Sequence, residues 1–225
     1  MWGVARLFQE VAGQHIDTAG LGFANLISQG RAWVLCRAFY AVGHLPHEGE
    51  EITLRTWSRG DDGLFAFREY ELLDAQGNVA VGSSSYWAVI DCVGRKVMRL
   101  GGLMDAFESH PESATGRLQL PRLRVPKSAT LSQPVSAFRV KPSMIDHTEH
   151  VNNSEYVKWA FDNLPDGSFA LPPFNLSVEY LLETRPDEQV SVCVSPINDN
   201  LLIQMSNDRS TAALVELRIE NNGKF

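Results

Sequence analysis

The sequence predicts an α+β fold in which one unit, a helix followed by an antiparallel meander, occurs twice. The first observation is a helical apolar pattern in each half, followed by several strand-like segments separated by turn residues. The second is a repeated local pattern, because residues 38–42 and 178–182 each run into a proline and an acidic cluster. A long helix wrapped by such a sheet is the layout of a hotdog domain. We therefore expect two tandem hotdog domains that form an internal pseudo-dimer.

The first half begins with a helix over roughly residues 7–19, where apolar side chains recur at helical spacing. Gly20 and Gly22 end this helix. Apolar and aromatic runs separated by turn sequences then predict strands at residues 33–42, 52–58, 65–74 and 79–91. No strand pattern precedes the helix, so we expect another segment to cover the open edge of this sheet.

Residues 111–133 have a different character, with several prolines and few apolar runs, and a short helix is predicted just before them at residues 103–108. We interpret 111–133 as a linker between an N-terminal domain of residues 1–110 and a C-terminal domain of residues 134–225. Four basic residues with little acid among them occupy the linker, namely Arg117, Arg122, Arg124 and Lys127. They either contact an acidic partner or are solvated linker residues.

The second half follows the same order of elements. A strand is predicted at residues 134–144, and a helix with one apolar face begins near Asn152, with Glu155 as a second capping residue. The Pro-Asp-Gly sequence at residues 165–167 ends the helix. The remaining strands are predicted at residues 175–183, 190–195, 200–205 and 212–220.

Composition excludes several functions. The formal net charge of −7 argues against a nucleic-acid-binding protein, and no apolar run has the length of a membrane span. The N-terminus lacks the pattern of a secretory signal. The three cysteines are far apart and odd in number, which predicts reduced thiols and a cytoplasmic location. His44 and His47 lack a third ligand at a recognised spacing, so we expect no metal and no cofactor.

Polar residues of catalytic types cluster between a predicted strand and a predicted helix, from Asp146 to His150. In an extended segment, alternation would place Asp146, Thr148 and His150 on one face. The helix start that follows offers unpaired N–H groups and a positive dipole end, which suits a developing oxyanion. The same residue types also serve as helix caps and structural histidines, so the pattern alone leaves both interpretations open.

This segment resembles the second-half motif of the acyl-ACP thioesterase family of plants and bacteria. That motif is Asp-x-Asn-x-His-Val-Asn-Asn followed by an aromatic residue and a helix containing Trp. Here it stands as Asp146, Thr148, His150, Val151, Asn152, Asn153, Tyr156 and Trp159. Further similar segments occur in the family's order at Trp33, Trp57, Trp87 and Tyr180. The resemblance spans nearly the whole chain.

The resemblance implies hydrolysis of fatty acyl-ACP thioesters to free fatty acid and ACP in fatty acid biosynthesis. It places the catalytic Asp at Asp146, the His at His150 and a late Glu at Glu183. Thr148 stands where the family has Asn, and Thr184 stands where the plant enzymes have Cys. We therefore expect direct attack by water rather than by a cysteine nucleophile.

The substrate is expected to bind in two places. Asn152 and Asn153 lie beside the catalytic residues, and an apolar tunnel in the first half is expected to include Trp33, Phe39 and Trp87. The basic linker residues would then contact the acyl carrier protein. We also expect that two chains can pair as a homodimer. Two alternatives stay open, an acyl-CoA thioesterase and a non-catalytic acyl-binding hotdog protein.

Overall fold

A computed structural model of the chain describes residues 1–126, 132–165 and 173–219. By its internal contacts the chain divides into two compact units. The N-terminal unit comprises Arg6–Leu120, and the C-terminal unit comprises Pro121–Phe225 together with Met1–Ala5. Each unit combines helix with an antiparallel sheet, and the α+β hotdog fold predicted from the sequence is confirmed.

Two helices, α1 (Trp2–Thr18) and α2 (Phe23–Ser28), precede the first group of strands. The strands are β1 (Arg31–Val42), β2 (Thr53–Asp61), β3 (Ala66–Leu73), β4 (Val79–Asp91) and β5 (Val97–Met98). They pair antiparallel in the order β2-β3-β4-β1, with the two-residue β5 on β4. A short 3-10 turn at Leu103–Ala106 follows, where the sequence predicted a helix.

Helix α1 packs an apolar stripe on this sheet. Phe8 is buried and stacks on Tyr70 of β3, with ring centroids 5.0 Å apart, and on Tyr40 of β1 at 6.4 Å. Ala12, one turn later, is also buried. Neither α1 nor any other described helix is long and apolar enough to cross a membrane.

The free side of β2 is covered by the chain that follows β5. Ser58 forms a parallel bridge with Ser109, and its carbonyl accepts the His110 N–H at 2.9 Å. The Trp57 indole N–H donates to the Glu112 carbonyl at 3.0 Å. The expectation that another segment covers this edge is therefore confirmed, and that segment spans the end of the predicted N-terminal domain and the start of the predicted linker.

Residues 113–120, hereafter the strap, continue from this edge across the outer face of the sheet. A Cβ at Gly82 would lie 2.5 Å from the Ala114 carbonyl oxygen, so glycine is required where the strap crosses β4. The Tyr86 hydroxyl accepts the Leu120 N–H at 3.0 Å and donates to the Leu118 carbonyl at 3.3 Å. The strap is thus hydrogen-bonded to the sheet along its length.

The C-terminal unit repeats the helix-and-sheet plan with one more strand in front. Its elements are β6 (Ser136–Arg139), a 3-10 turn (Pro142–Met144), α3 (Asn153–Asp162), β7 (Phe174–Tyr180), β8 (Gln189–Ile197), β9 (Asn200–Ser206) and β10 (Thr211–Ile219). The strands pair antiparallel in the order β7-β10-β9-β8-β6. Helix α3 buries Tyr156, Val157, Trp159 and Ala160. The terminator predicted at residues 165–167 lies mostly outside the described residues.

One predicted strand is shorter in the structure, and two short elements were not predicted. The strand predicted at residues 134–144 is only four residues long, because Pro142 starts a 3-10 turn and cannot donate a ladder hydrogen bond. Helix α2 and strand β5 were not predicted, since six and two residues are too short to carry a period.

Candidate active site

The segment from Ile145 to Val151 forms a closed turn. Ile145 and Val151 make an antiparallel bridge, and the Asp146 N–H donates to the His150 carbonyl at 3.0 Å. The Glu149 N–H donates back to the Asp146 carbonyl at 3.1 Å, and Glu149 has a left-handed φ of 62°. The segment is therefore not extended, and the alternation of side chains that an extended segment would have does not apply, because the chain reverses at Glu149.

The Asp146 carboxylate organises this turn. One of its oxygens accepts the Thr148 N–H at 2.8 Å and also the Thr148 hydroxyl. Its other oxygen accepts the Asn152 side-chain amide at 3.2 Å. Both carboxylate oxygens are therefore used to hold neighbouring groups of the turn.

Asn152 joins the turn to α3 as its N-cap. Its side-chain oxygen accepts the Ser154 N–H at 2.9 Å, and its carbonyl accepts the Glu155 N–H at 2.9 Å. The Glu155 carboxylate does not complete a capping box but accepts the Trp2 indole N–H at 3.2 Å. Of the first-turn N–H groups in the described residues, that of Asn153 makes no protein hydrogen bond. It sits at the positive end of the helix dipole.

His150 and Glu183 come together beside this helix start. The His150 Nε2 lies 3.7 Å from one Glu183 carboxylate oxygen, and the two side chains are 32% and 19% exposed. The other Glu183 oxygen accepts the Arg185 guanidinium at 3.0 Å. An imidazole and a carboxylate thus meet beside the turn within reach of solvent. Arg185 is a member of this cluster that the sequence did not predict.

The backbone that carries Glu183 is fixed by groups from the loop between β9 and β10. Asn207 donates its side-chain N–H to the Glu183 carbonyl at 3.1 Å, and Arg209 donates to the same carbonyl. The fully buried Thr184 hydroxyl accepts the Tyr156 O–H at 2.8 Å. Burial raises the pKa of Tyr156 to about 12, so the phenol stays protonated as a donor.

The N-terminal unit contains a small pocket with largely apolar walls. Trp33 and Trp87, two residues predicted to contact substrate, both line it. Phe39, the third, lies in a separate buried cluster with Tyr86 and Leu120. The wall also contains one charged residue, Arg68, which the sequence did not single out.

The four basic linker residues have different surroundings. The Arg117 guanidinium lies 4.2 Å from the centroid of the Phe39 ring. Arg122 is 61% exposed and lies 4.0 Å from the buried Glu179 carboxylate. Arg124 is exposed, and Lys127 lies outside the described residues.

Comparison with protein families supplies the context for this geometry. Residues 1–102 match the model of the acyl-ACP thioesterase N-terminal domain, and residues 128–224 match that of the acyl-ACP thioesterase C-terminal domain. The chain belongs to the acyl-ACP thioesterase family. The resemblance inferred from the sequence motifs is therefore confirmed.

Individual relatives agree with the family assignment. The chain is 26% identical over 195 residues to a palmitoyl-acyl carrier protein thioesterase, chloroplastic, of Arabidopsis thaliana, and 24% identical over 200 residues to an acyl-[acyl-carrier-protein] hydrolase, chloroplastic, of Cuphea viscosissima. Each match covers 80% of this chain and 46% of the relative. The chain thus spans about half the length of the curated relatives it matches.

Solved structures show the same fold. An acyl-ACP thioesterase from Bacteroides thetaiotaomicron superposes with a TM-score of 0.84 at 21% identity, covering 98% of this chain and 89% of that one. A 12:0-ACP thioesterase from Umbellularia californica gives a TM-score of 0.81 at 18% identity, covering 96% and 88%.

Two departures from the acyl-ACP thioesterase motif have visible structural consequences. Thr148, in place of the family's Asn, uses its hydroxyl to contact Asp146. Thr184, in place of the plant Cys, is buried and hydrogen-bonded to Tyr156 and Asn207. The three cysteines of the chain lie elsewhere in sequence. A thiol nucleophile at the family's position is therefore absent from this chain.

Proposed function

We propose that the chain hydrolyses fatty acyl-ACP thioesters to free fatty acid and ACP in fatty acid biosynthesis. The observation that supports this best is the His150–Glu183 pair, which meets at 3.7 Å beside the start of α3. Membership of the acyl-ACP thioesterase family supports the same chemistry.

In this mechanism Glu183, aided by His150, takes a proton from a water molecule while the water oxygen attacks the thioester carbonyl. A carboxylate and an imidazole can both accept a proton at neutral pH. Arg185 donates to the other Glu183 oxygen at 3.0 Å and so orients the carboxylate. Asp146 holds the turn that carries His150 and is a positioning residue.

The negative charge that develops on the carbonyl oxygen is stabilised at the start of α3. We assign this role to the Asn153 N–H, since the Ser154 and Glu155 N–H groups are already bonded to Asn152. When the tetrahedral intermediate collapses, the carbon–sulfur bond breaks. The thiolate then receives the proton held by the Glu183–His150 pair. The reaction thus converts water and thioester into free acid and thiol, and it needs no cofactor.

The acyl chain is proposed to bind in the pocket lined by Trp33 and Trp87. The carrier protein is proposed to contact exposed basic residues, of which Arg122 and Arg124 have the required exposure. Arg117 is the weaker candidate because its guanidinium lies on the Phe39 ring.

Steady-state hydrolysis of acyl-ACP and acyl-CoA with the same acyl chain tests this proposal. We expect a higher kcat/KM for acyl-ACP, and we expect added salt to reduce that advantage because it screens the basic surface. Equal kcat/KM values for both substrates would instead favour an acyl-CoA thioesterase. If the protein binds the acyl group but hydrolyses neither substrate, it is a non-catalytic acyl-binding protein.

Thr148 provides a second test, because its hydroxyl and its backbone N–H both contact Asp146. Thr148→Val removes only the hydroxyl contact and is expected to lower kcat/KM by about tenfold, from the loss of about 1.5 kcal/mol. Thr148→Ser, which keeps the hydroxyl, and Thr148→Asn, which restores the family's residue, are expected to stay within about threefold of wild type. A wild-type kcat/KM in Thr148→Val would show that the Thr148 hydroxyl does not contribute to the site.

Two further parts of the proposal concern the setting of the protein. A cytoplasmic location is proposed from the three free cysteines, whereas the plant relatives above are named chloroplastic. A homodimer is also proposed. Cell fractionation and native mass measurement test these two statements.

A further inference from the structure

Thr184 lies next to the proposed base Glu183, at a point where three parts of the C-terminal unit meet. Its side chain is fully buried, so it does not reach a substrate that enters from solvent. Its carbonyl accepts the Val151 N–H at 2.9 Å, and Val151 follows His150 in the chain. The backbone beside His150 is therefore hydrogen-bonded to the backbone beside Glu183. The mechanism proposed above makes no use of Thr184.

Two donors from other elements hold the Thr184 hydroxyl. Tyr156 of α3 donates its O–H to the hydroxyl oxygen at 2.8 Å. Asn207, in the loop between β9 and β10, donates its side-chain amide to the same oxygen at 3.3 Å and to the Glu183 carbonyl at 3.1 Å. Asn207 is itself fixed, because its side-chain oxygen accepts two N–H groups of its own loop. The hydroxyl thus ties the Glu183 segment to α3 and to the loop between β9 and β10.

These contacts lie where water does not replace a lost hydrogen-bond partner. Thr184 is 0% exposed, Tyr156 is 2% exposed and Asn207 is 9% exposed. A buried donor that loses its acceptor is unfavourable, so the surrounding chain has to move until the donor finds another partner. The distance of 3.7 Å between His150 Nε2 and the Glu183 carboxylate leaves little tolerance for such movement, because catalysis is sensitive to displacements of about 1 Å.

We propose that Thr184 is a positioning residue that sets the distance between His150 and Glu183. Its carbonyl fixes the turn that carries His150, and its hydroxyl fixes the segment that carries Glu183. The expected effect on rates rests on the proposed thioesterase function, whereas the effect on the distance does not. The residue that stands in place of the plant Cys thus has a role that requires a hydroxyl acceptor and no thiol.

Thr184→Val keeps the shape of the side chain and removes the hydroxyl, so the Tyr156 O–H and the Asn207 amide both lose their acceptor there. We expect kcat for hydrolysis of dodecanoyl-ACP to fall at least about tenfold, because the catalytic pair is displaced. KM should stay within about twofold of wild type, because the loss concerns the chemical step rather than substrate binding. Thr184→Ser keeps the hydroxyl and should retain kcat within about threefold of wild type.

Tyr156→Phe removes one of the two donors and replaces Thr184→Val as the test if that variant does not fold. It should lower kcat by about three- to tenfold, again with an unchanged KM. The matched control is Ser195→Ala, since Ser195 is a 3% exposed hydroxyl of β8 that accepts the Ser132 N–H at 3.0 Å. The control should lower Tm without lowering kcat. Equal losses of kcat in Ser195→Ala and Tyr156→Phe would show that the rate follows stability, and would overturn the proposal.

A double-mutant cycle decides whether Thr184 acts through Glu183. In the Glu183→Gln background, Thr184→Val should lower kcat by less than about threefold, because the base that Thr184 positions is already absent. If the two losses multiply instead, Thr184 acts independently of Glu183 and the proposal is wrong. Wild-type kcat in folded Thr184→Val would contradict it equally.

Crystal structures separate this inference from the proposed function. We expect His150 Nε2 to stay near its wild-type distance of 3.7 Å from the Glu183 carboxylate in Thr184→Ser. In Thr184→Val, or in Tyr156→Phe if the former does not fold, the distance should grow by about 1 Å or more. An unchanged distance would refute the positioning role even if wild type is an active thioesterase. The expected change in distance, with no hydrolysis by wild type, would refute only the thioesterase function.

Discussion

Replacing Glu183 by Gln is expected to lower kcat for thioester hydrolysis by about 10²–10⁴-fold, the usual contribution of a positioned general base. Gln keeps the size of the side chain and one oxygen for the Arg185 contact, but it cannot accept a proton from water. The fold should be unaffected, because the Glu183 backbone is held by Asn207 and Arg209, which the substitution leaves in place. Steady-state kinetics together with Tm measurement checks both statements.

The control for this variant is Glu149→Gln, which removes an exposed carboxylate from the turn that carries His150. It should retain wild-type kcat, because the Glu149 side chain does not take part in the proposed chemistry. If folded Glu183→Gln has the same kcat as Glu149→Gln, the general base is a residue other than Glu183. The companion variants Asp146→Ala and His150→Ala are expected to lose hydrolysis while remaining folded.

The fold was predictable from the sequence because its long helices and strands have a strong periodicity of apolar residues. Strand β4 matches its predicted residues, and α3 begins at the predicted cap Asn152. The failures come from short or irregular pieces, such as α2 and the 3-10 turn at Pro142. In such pieces, tertiary packing rather than a local pattern decides the conformation.

The candidate site was only partly predictable. The motif identified Asp146, His150 and Glu183, and the structure brings His150 and Glu183 to 3.7 Å. Alternation could not reveal the reversal at Glu149, because a left-handed φ at a non-glycine residue carries no sequence signal here. Asn207 and Arg209 were also missed, since a loop distant in sequence places them on Glu183.

Strand β3 shows a different limit of sequence reasoning. A half-buried strand alternates apolar and polar residues, but β3 is buried on both faces. The Phe8 ring of α1 covers one face at Tyr70, and the strap covers the other, where the Ala114 N–H donates to Glu69. Arg68 and Glu69 are therefore both buried, one in the pocket and one under the strap. Nothing in the sequence of β3 itself indicates that two layers cover it.

Glu69→Ala is consequently expected to be the most destabilising polar substitution in the N-terminal unit. The fully buried carboxylate accepts Arg59 Nε at 2.7 Å, the Ser84 hydroxyl at 2.5 Å and the Ala114 N–H at 3.0 Å. Its removal leaves the 9% exposed Arg59 without a counter-ion, which costs about 3–5 kcal/mol. At about 2–4 °C per kcal/mol, Tm should fall by about 6–20 °C.

Glu71→Ala provides the matched control on the same strand. Its carboxylate lies 3.8 Å from Arg55, which is 63% exposed, so the loss should be about 0–1 kcal/mol. The double variant Arg59→Met/Glu69→Leu removes both buried charges and should recover most of the stability. Trypsin should cleave the strap at Arg117 faster in Glu69→Ala than in Glu71→Ala, because the Ala114 contact is lost. If the two single variants unfold at the same temperature, the buried Arg59–Glu69 pair does not hold the strap to β3.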